Sequence, residues 1–285
     1  MAQAQLHLDE PLRRLLADLA TFFSGRGLEA YLVGGFLRDT LLGRDSRDVD
    51  ISVAADTISL SRELAAALGG NSFPLGTDRA EDRQVARILL PDNSLHIDLK
   101  PLPDDIASDL LRRDYSIDAM AVPLSDGLLS EPLSIIDPHG GQTDLRERLV
   151  RVISEDAFHR DPLRLLRGVR LSAQLGFRLE PATVALIRGN SHRLAEAAPE
   201  RQRDELMRIL ALPRAAPALR QLDEFGLLGQ IVPEVEATRG VEQPKEHQWD
   251  VFHHLLEAVG RLDMMLSETE PKDPEDGALW RELWQ

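Results

Sequence analysis

The sequence predicts an α+β protein: a head with a small mixed sheet and flanking helices over residues 1–143, then an all-helical neck over 144–212 and a helical body over 213–285. Three observations carry this. Before Pro138, short apolar runs alternate with Gly- and Pro-bearing turns. From Asp144 onward, apolar residues recur at helical period. The 285 residues provide for roughly two domains, since domains usually run about 100–200 residues.

The elements follow in order. Glu10 to Gly25 carries the stripe of an amphipathic helix and ends at Gly25 and Gly27. Glu29 to Val33 is a short strand, which Gly34-Gly35 turns into a helix over Phe36 to Leu42, closed by Gly43. Asp48 to Val53 (DVDISV) alternates as a strand, and Asp56 caps a helix that runs to Leu68 before Gly69-Gly70. Gln84–Leu90 and Leu95–Leu102 read as two strands around a turn at Pro91-Asp92-Asn93-Ser94, and Ile117–Pro123 as another strand. Helices are expected at Asp161–Leu175, Pro181–Arg188, Pro199–Leu210, Arg214–Phe225 and Trp249–Leu266. The last residues, Ser267 to Gln285, are acidic and Pro-broken, and their abrupt end reads as cut rather than capped.

Composition narrows the function. Hydrophobic residues make up 43% and charged residues 28%, ordinary for a soluble globular chain. No apolar run approaches the roughly 18 residues of a membrane span, and MAQAQLHLDEPLRRLL has acids where a secretory leader is apolar. Without cysteine there are no disulfides, thiolate metal sites or cysteine nucleophiles, and a cytoplasmic location is expected. Net charge is −15, yet Thr143 to Arg214 holds 14 Arg and no Lys against 10 acids. Thirty of the 33 bases are Arg, whose planar fork suits phosphate oxygens and base edges; GC-rich codon usage is the competing explanation.

Two signals carry chemistry. Asp48 and Asp50 stand two apart on a strand, so both carboxylates leave one face about 7 Å apart, where they can converge on divalent cations. Alone, such a pair is also what solvated strand-end acids look like. Gly34-Gly35 lies between strand and helix, where a backbone free of side chains and a helix N-terminus admit a phosphate; a plain tight turn reads the same. Arg38, in the first helical turn, is placed to reach a triphosphate.

Together these form GGFLRDTLLGRDSRDVDI, which resembles the signature of the tRNA nucleotidyltransferase/poly(A) polymerase family, the bacterial-type branch of the polymerase-β-like nucleotidyltransferases. The resemblance implies that Asp48 and Asp50 bind Mg²⁺, that Gly35 and Arg38 hold the triphosphate, and that a third catalytic carboxylate stands on a neighbouring strand, where Asp98 in Leu95–Leu102 is the candidate and a solvent-facing strand acid the alternative. LRRDYSIDAMA resembles the family's RRDFTxNA segment and places Arg113 near the nucleotide, with Asp118 standing where the family has Asn. IDPHGGQTDLRERLVR resembles the stretch joining head to neck, shaped by Pro138, Gly140 and Gly141.

DPLRLLRGVR, read as a helix from Asp161, sets Leu165, Leu166, Val169 and Ala173 on one side and Arg164, Arg167 and Arg170 around the other. Snorkelling arginines on a core helix give the same pattern. The segment resembles EDxxRxLRxxRF, with Arg160 in place of the Glu. That resemblance implies Asp161 and Arg164 as readers of the incoming base, so that protein rather than nucleic acid is the template, with Arg167 and Arg170 near the nucleotide. ERQRDELMRIL resembles ERxxxEL, a brace for the neck with Arg201 and Arg203 toward RNA or triphosphate. EHQWDVFHHLLEAV, with His247, His253 and His254, resembles the opening of a truncated HD-like domain. Its histidine spacing is poor for zinc and the chain has no His-Asp dyad.

The resemblance therefore implies an enzyme that adds C and/or A to the 3′ end of tRNA, with CTP and ATP as substrates and two Mg²⁺ ions as cofactors. Only 11 residues separate Lys100 from Arg112, a shortness that resembles members adding CC alone. Poly(A) polymerase is the alternative reaction, against which the acidic C-terminus stands. A truncated, non-catalytic nucleotide- or RNA-binding member is the alternative class.

Overall fold

Asp9 starts the first helix by accepting the Leu12 amide at 2.9 Å, and Pro11 fixes the backbone dihedral of the first turn, where its missing N–H costs nothing. The resulting α1 (Glu10–Ser24) buries Leu16, Leu19 and Phe23 completely, each worth roughly 1.5–3 kcal/mol of apolar transfer. The computed structural model describes residues 6–75, 84–91, 95–102, 104–125, 128, 133–242 and 249–266. The chain divides into two compact units, Met1–Glu147 and Arg148–Gln285.

In the first unit, α1 leads to β1 (Ala30–Val33), α2 (Gly34–Leu41), β2 (Asp48–Val53), α3 (Thr57–Leu68), β3 (Asn71–Pro74), β4 (Ala86–Leu89), β5 (His96–Pro101), α4 (Ile106–Leu111), β6 (Ala121–Pro123) and α5 (Gly141–Glu147). The strands form one six-stranded sheet in the order β3-β4-β5-β2-β1-β6. Only β2 and β5 run parallel, at its centre; every other pairing is antiparallel. Alternation places Val49, Ile51, Ile88, Ile97 and Leu99 in the core with no exposure. The opposite face carries polar residues over β4, β5 and β2. Toward β1 and β6 that face closes over Tyr31, Val33 and Ala121, onto which α4 packs Ile106 and Leu110.

Gly140 adopts φ +71° just before α5, where the Asp137 carboxylate caps the helix by accepting the Gly141 and Gln142 amides at 2.7 and 3.0 Å. A methyl at Gly141 meets the Ser116 carbonyl oxygen at 2.3 Å, which is backbone and cannot step aside. Gly141→Ala is expected to cost about 1–3 kcal/mol, read as a lower urea midpoint at unchanged slope.

The second unit contains β7 (Leu149–Val150), α6 (Asp156–Arg160), α7 (Arg164–Leu175), β8 (Arg178–Leu179), α8 (Pro181–Asn190), α9 (Pro199–Leu210), α10 (Ala216–Glu224), α11 (Leu228–Ile231) and α12 (Val251–Leu266). Leu165, Leu166 and Val169 of α7 are fully buried, and α7 packs against α9 and α10. The Asp263 side chain of α12 accepts the Ala216 amide at 2.8 Å and so caps α10. Among the described residues no helix is long and apolar enough to cross a membrane.

Three expectations need correction, and two features go beyond the sequence reading. The strand expected over Ile117–Pro123 is a 3-10 turn at Ser116–Asp118 followed by strand only from Ala121. The second unit is not wholly helical, since β7 and β8 pair in parallel. The stretch between Lys100 and Arg112 holds the end of β5 and all of α4, whose apolar Ile106 and Leu110 belong to the core. The helix expected from Asp161 begins at Arg164, with Asp161 extended ahead of it. Strand β3 carries no apolar alternation and pairs through its backbone with β4. Asp92 to Ser94 of the expected hairpin turn, His247 and the tail from Ser267 lie outside the described residues.

Candidate active site

The parallel register sets the charges of the head side by side. Asp48 lies opposite His96, Asp50 opposite Asp98, and Ser52 opposite Lys100, while Arg87 of β4 lies opposite Asp98. All of these leave the face away from Ile97 and Leu99, so the sheet presents three carboxylates and three cationic or titratable partners in one patch. His96 Nδ1 is 3.1 Å from Asp48 Oδ1, and Lys100 Nζ is 2.7 Å from Asp50 Oδ1. Arg87 holds Asp98 with both arms, donating from Nε at 2.7 Å and from Nη2 at 2.8 Å. The Asp98 hydrogen bonds, reinforced by the charges of Asp98, Asp48 and Asp50, raise the Arg87 pKa above its ordinary value.

The diglycine turn sits against this patch. Gly34 has φ +68°, and a side chain there meets Asp50 Oδ2 at 3.0 Å and the Arg113 guanidinium at 3.3 Å. Only glycine combines that backbone with that approach. Arg113 is fixed by Asp109 at 2.7 Å and reaches Ser52 Oγ at 3.4 Å. Gly35 faces the other way, with Arg38 Nη2 3.4 Å from the place of its Cβ.

Arg38 is buried. Asp39 takes its Nε and Nη2 at 2.9 and 2.8 Å, and Asp118 takes Nη1 at 2.6 Å. Asp118 is therefore paired with an always-charged guanidinium, which accounts for an acid being tolerated at this buried position.

In the second unit, the extended Asp161 directs its carboxylate back over the start of α7. Its Oδ1 accepts the Leu163 amide at 3.2 Å, and Arg201 of α9 donates to both oxygens at 3.3 and 2.9 Å. Arg164 donates to the Ala157 carbonyl at 3.4 Å, and Arg167, like Arg164, is partly buried. Arg170 pairs with the buried Glu205 of α9 and donates to Gln174 at 2.7 Å. The two motifs are thus stitched twice, Asp161 to Arg201 and Arg170 to Glu205. Glu205→Ala leaves the Arg170 charge largely buried without its main partner and is expected to destabilise the second unit by about 3 kcal/mol, measured by urea unfolding.

Asp250 precedes α12 and accepts the His253 and Gly240 amides at 2.8 Å each, with His253 Nδ1 at 2.7 Å. The two amides, with the ring, draw its carboxyl down to about 2. This is a helix cap. Among the described residues no group of three or more His, Cys, Asp or Glu is arranged to hold a metal ion.

The register places Asp48, Asp50 and Asp98 on one face of the sheet, each turned to its own partner, with Arg113 beside Asp50. The fold surrounds Arg38 with carboxylates and gives Arg170 to Glu205. Arg87, His96 and Lys100 escaped the sequence reading, although the hairpin register links Arg87 to Asp98 and the strand alternation puts His96 and Lys100 on the face of Asp98.

The chain is similar to known proteins over most of its length. Residues 30–151 match the family described as poly A polymerase head domain, and residues 176–238 match the probable RNA and SrmB-binding site of polymerase A. A CC-adding tRNA nucleotidyltransferase from Geobacter sulfurreducens is 42% identical over 79% of this chain and 49% of its own length. An A-adding tRNA nucleotidyltransferase from Deinococcus radiodurans is 39% identical over 82% of this chain and 52% of its own. The chain spans about half the length of these relatives. The structure of a Thermotoga maritima CCA-adding enzyme complexed with tRNA superposes with a TM-score of 0.70 at 26% identity, covering 97% of this chain and 67% of the other. The chain belongs to the tRNA nucleotidyltransferase/poly(A) polymerase family, with a polymerase-β-like head.

Proposed function

We propose that this chain catalyses template-independent addition of C, or of C and A, to the 3′ end of tRNA, releasing pyrophosphate. The observation that carries the reading is the register of β2 on β5, which sets Asp48, Asp50 and Asp98 on one face beside Gly34 and Arg113. These are hard oxygen donors at a glycine turn, the donor chemistry that Mg²⁺ and a triphosphate require. Asp48 and Asp50 are the carboxylates that hold the metal, with Asp98 as the third acid of the site. Bound Mg²⁺ supplies Lewis-acid charge to the attacking 3′ hydroxyl and to the departing pyrophosphate.

The remaining work belongs to the chain. The backbone at Gly34 and Gly35 lets the triphosphate approach, Arg113 offers its guanidinium beside Asp50, and Arg38, neutralised by Asp39 and Asp118, braces the turn from beneath. Asp161 and Arg164 read the Watson–Crick edge of the incoming base: a carboxylate accepts from its amino group and a guanidinium donates to its ring nitrogen or carbonyl. Arg167 and Arg170 complete the nucleotide side, Arg170 by holding α7 to α9. We assign residues 1–143 to the catalytic head, 144–212 to the base-reading neck and 213–285 to the body, and place the reaction in the cytoplasm.

CC addition is the favoured form. The short stretch between Lys100 and Arg112 is occupied by α4, and the Geobacter relative is named for CC addition.

Labelled CTP and ATP are offered to tRNAs ending at the discriminator base, at C or at CC, with Asp48→Ala/Asp50→Ala alongside. CTP entering the first two, lost in the double variant, supports the proposal, and ATP entering the third extends it to full CCA synthesis. Binding of nucleotide without incorporation rejects it in favour of a non-catalytic member.

A further inference from the structure

The three carboxylates of the head are held in different ways. Asp98 is gripped by both arms of Arg87, whereas Asp50 is held through one oxygen by the single ammonium of Lys100. The residue type itself is informative. The chain has three lysines, at 100, 245 and 272, against 30 arginines. Apart from His96 beside Asp48, the other pairs of the head site among the described residues use arginine: Arg38 with Asp39 and Asp118, Arg87 with Asp98, and Arg113 with Asp109. Arginine builds rigid two-point contacts, while lysine offers a strongly hydrated point charge on a flexible stem and gives up a contact with less loss of geometry.

Position completes the case. The Lys100 side chain retains 39% exposure against 18% for Asp50, so its ammonium can swing into water without desolvation. Its tie is to Asp50 Oδ1, while Oδ2 faces the position that a side chain at Gly34 would fill, 3.0 Å away. Lys100 therefore occupies one of the two oxygens that Asp50 offers a cation.

We propose that Lys100 is the displaceable counter-ion of the metal site: it competes with a divalent cation for Asp50 Oδ1 and so sets the concentration at which the head takes up metal. The inference rests on the reading of Asp48 and Asp50 as metal carboxylates. His96 at Asp48 and Arg87 at Asp98 do not share the role, the first because an imidazole carries charge only when protonated, the second because two contacts hold it.

The test uses the full chain and Mn²⁺ alone, with free ion followed by its paramagnetic resonance signal. Lys100→Met keeps the stem and removes the charge; Lys100→Ala removes both. Each is expected to bind Mn²⁺ at about three- to tenfold lower concentration than the parent, the scale of a partly exposed ion pair. Asp50→Asn is expected to lose the site. Unchanged Mn²⁺ affinity in both Lys100 variants, with binding still lost in Asp50→Asn, overturns the role of Lys100. Absence of saturable binding in the parent and in both Lys100 variants overturns the metal-carboxylate reading itself.

Discussion

On the proposed function, Asp50→Ala is expected to reduce nucleotide addition by about a thousandfold or more, because a carboxylate proposed to hold Mg²⁺ would take with it several kcal/mol of transition-state stabilisation and each 1.4 kcal/mol is a factor of ten. Asp50 sits on the central strand of the head, opposite Asp98 and against the Gly34 turn. No other acid takes its place: Asp98 is already held by both arms of Arg87, and Asp48 is one pleat away with most of its side chain in water. The fold should survive, since the lost Lys100 contact is partly exposed and such pairs are worth about 0–1 kcal/mol. Single-turnover incorporation of labelled CTP, beside a thermal melt, separates the two. A variant that melts like the parent and keeps a tenth of its rate removes Asp50 from the chemistry.

The second large effect is expected on the choice of base. On the proposed reading, Asp161→Ala and Arg164→Ala each remove one half of a base-reading edge, and sites built on such edges discriminate far more strongly than apolar pockets. The preference for CTP over UTP in kcat/KM is expected to fall by about a hundredfold in either variant, the loss of one or two charge-assisted hydrogen bonds. Arg201→Ala should move in the same direction by about tenfold without touching the base, because Arg201 donates to both oxygens of Asp161 and thereby aims them. If Asp161→Ala lowers incorporation equally for all four nucleotides, the carboxylate braces the neck and does not read the base.

Much of this was legible in the sequence where local rules are strong. Asp48–Val53 alternates cleanly, so the strand and the shared face of its two acids followed directly, and Asp56 with Gly69 bracketed α3 as cap and left-handed stop. The nucleotide motifs were legible as ordered patterns. Long-range pairing was not. Arg38 reads as a triphosphate ligand from its place in the helix, and nothing nearby in sequence announces Asp118, 80 residues on. Arg170 reads as a nucleotide contact until α9 supplies Glu205. Asp161 reads as the first residue of a helix because charge and spacing fit, yet its own side chain competes for the local amides and holds it extended. Strand β3 was invisible because its stability lies in backbone pairing with β4 rather than in its side chains.

The buried bond between Arg38 and Asp118 also bears on how this head can diverge. Losing the guanidinium alone takes the shared cationic partner from the carboxylates of Asp39 and Asp118, whereas exchanging Asp118 for an amide leaves Arg38 held by both oxygens of Asp39. The constraint therefore runs one way: the acid at position 118 requires the arginine at position 38, and the arginine does not require the acid. A lineage can shed the acid first and keep a balanced core, while shedding the arginine first leaves two acids to be neutralised.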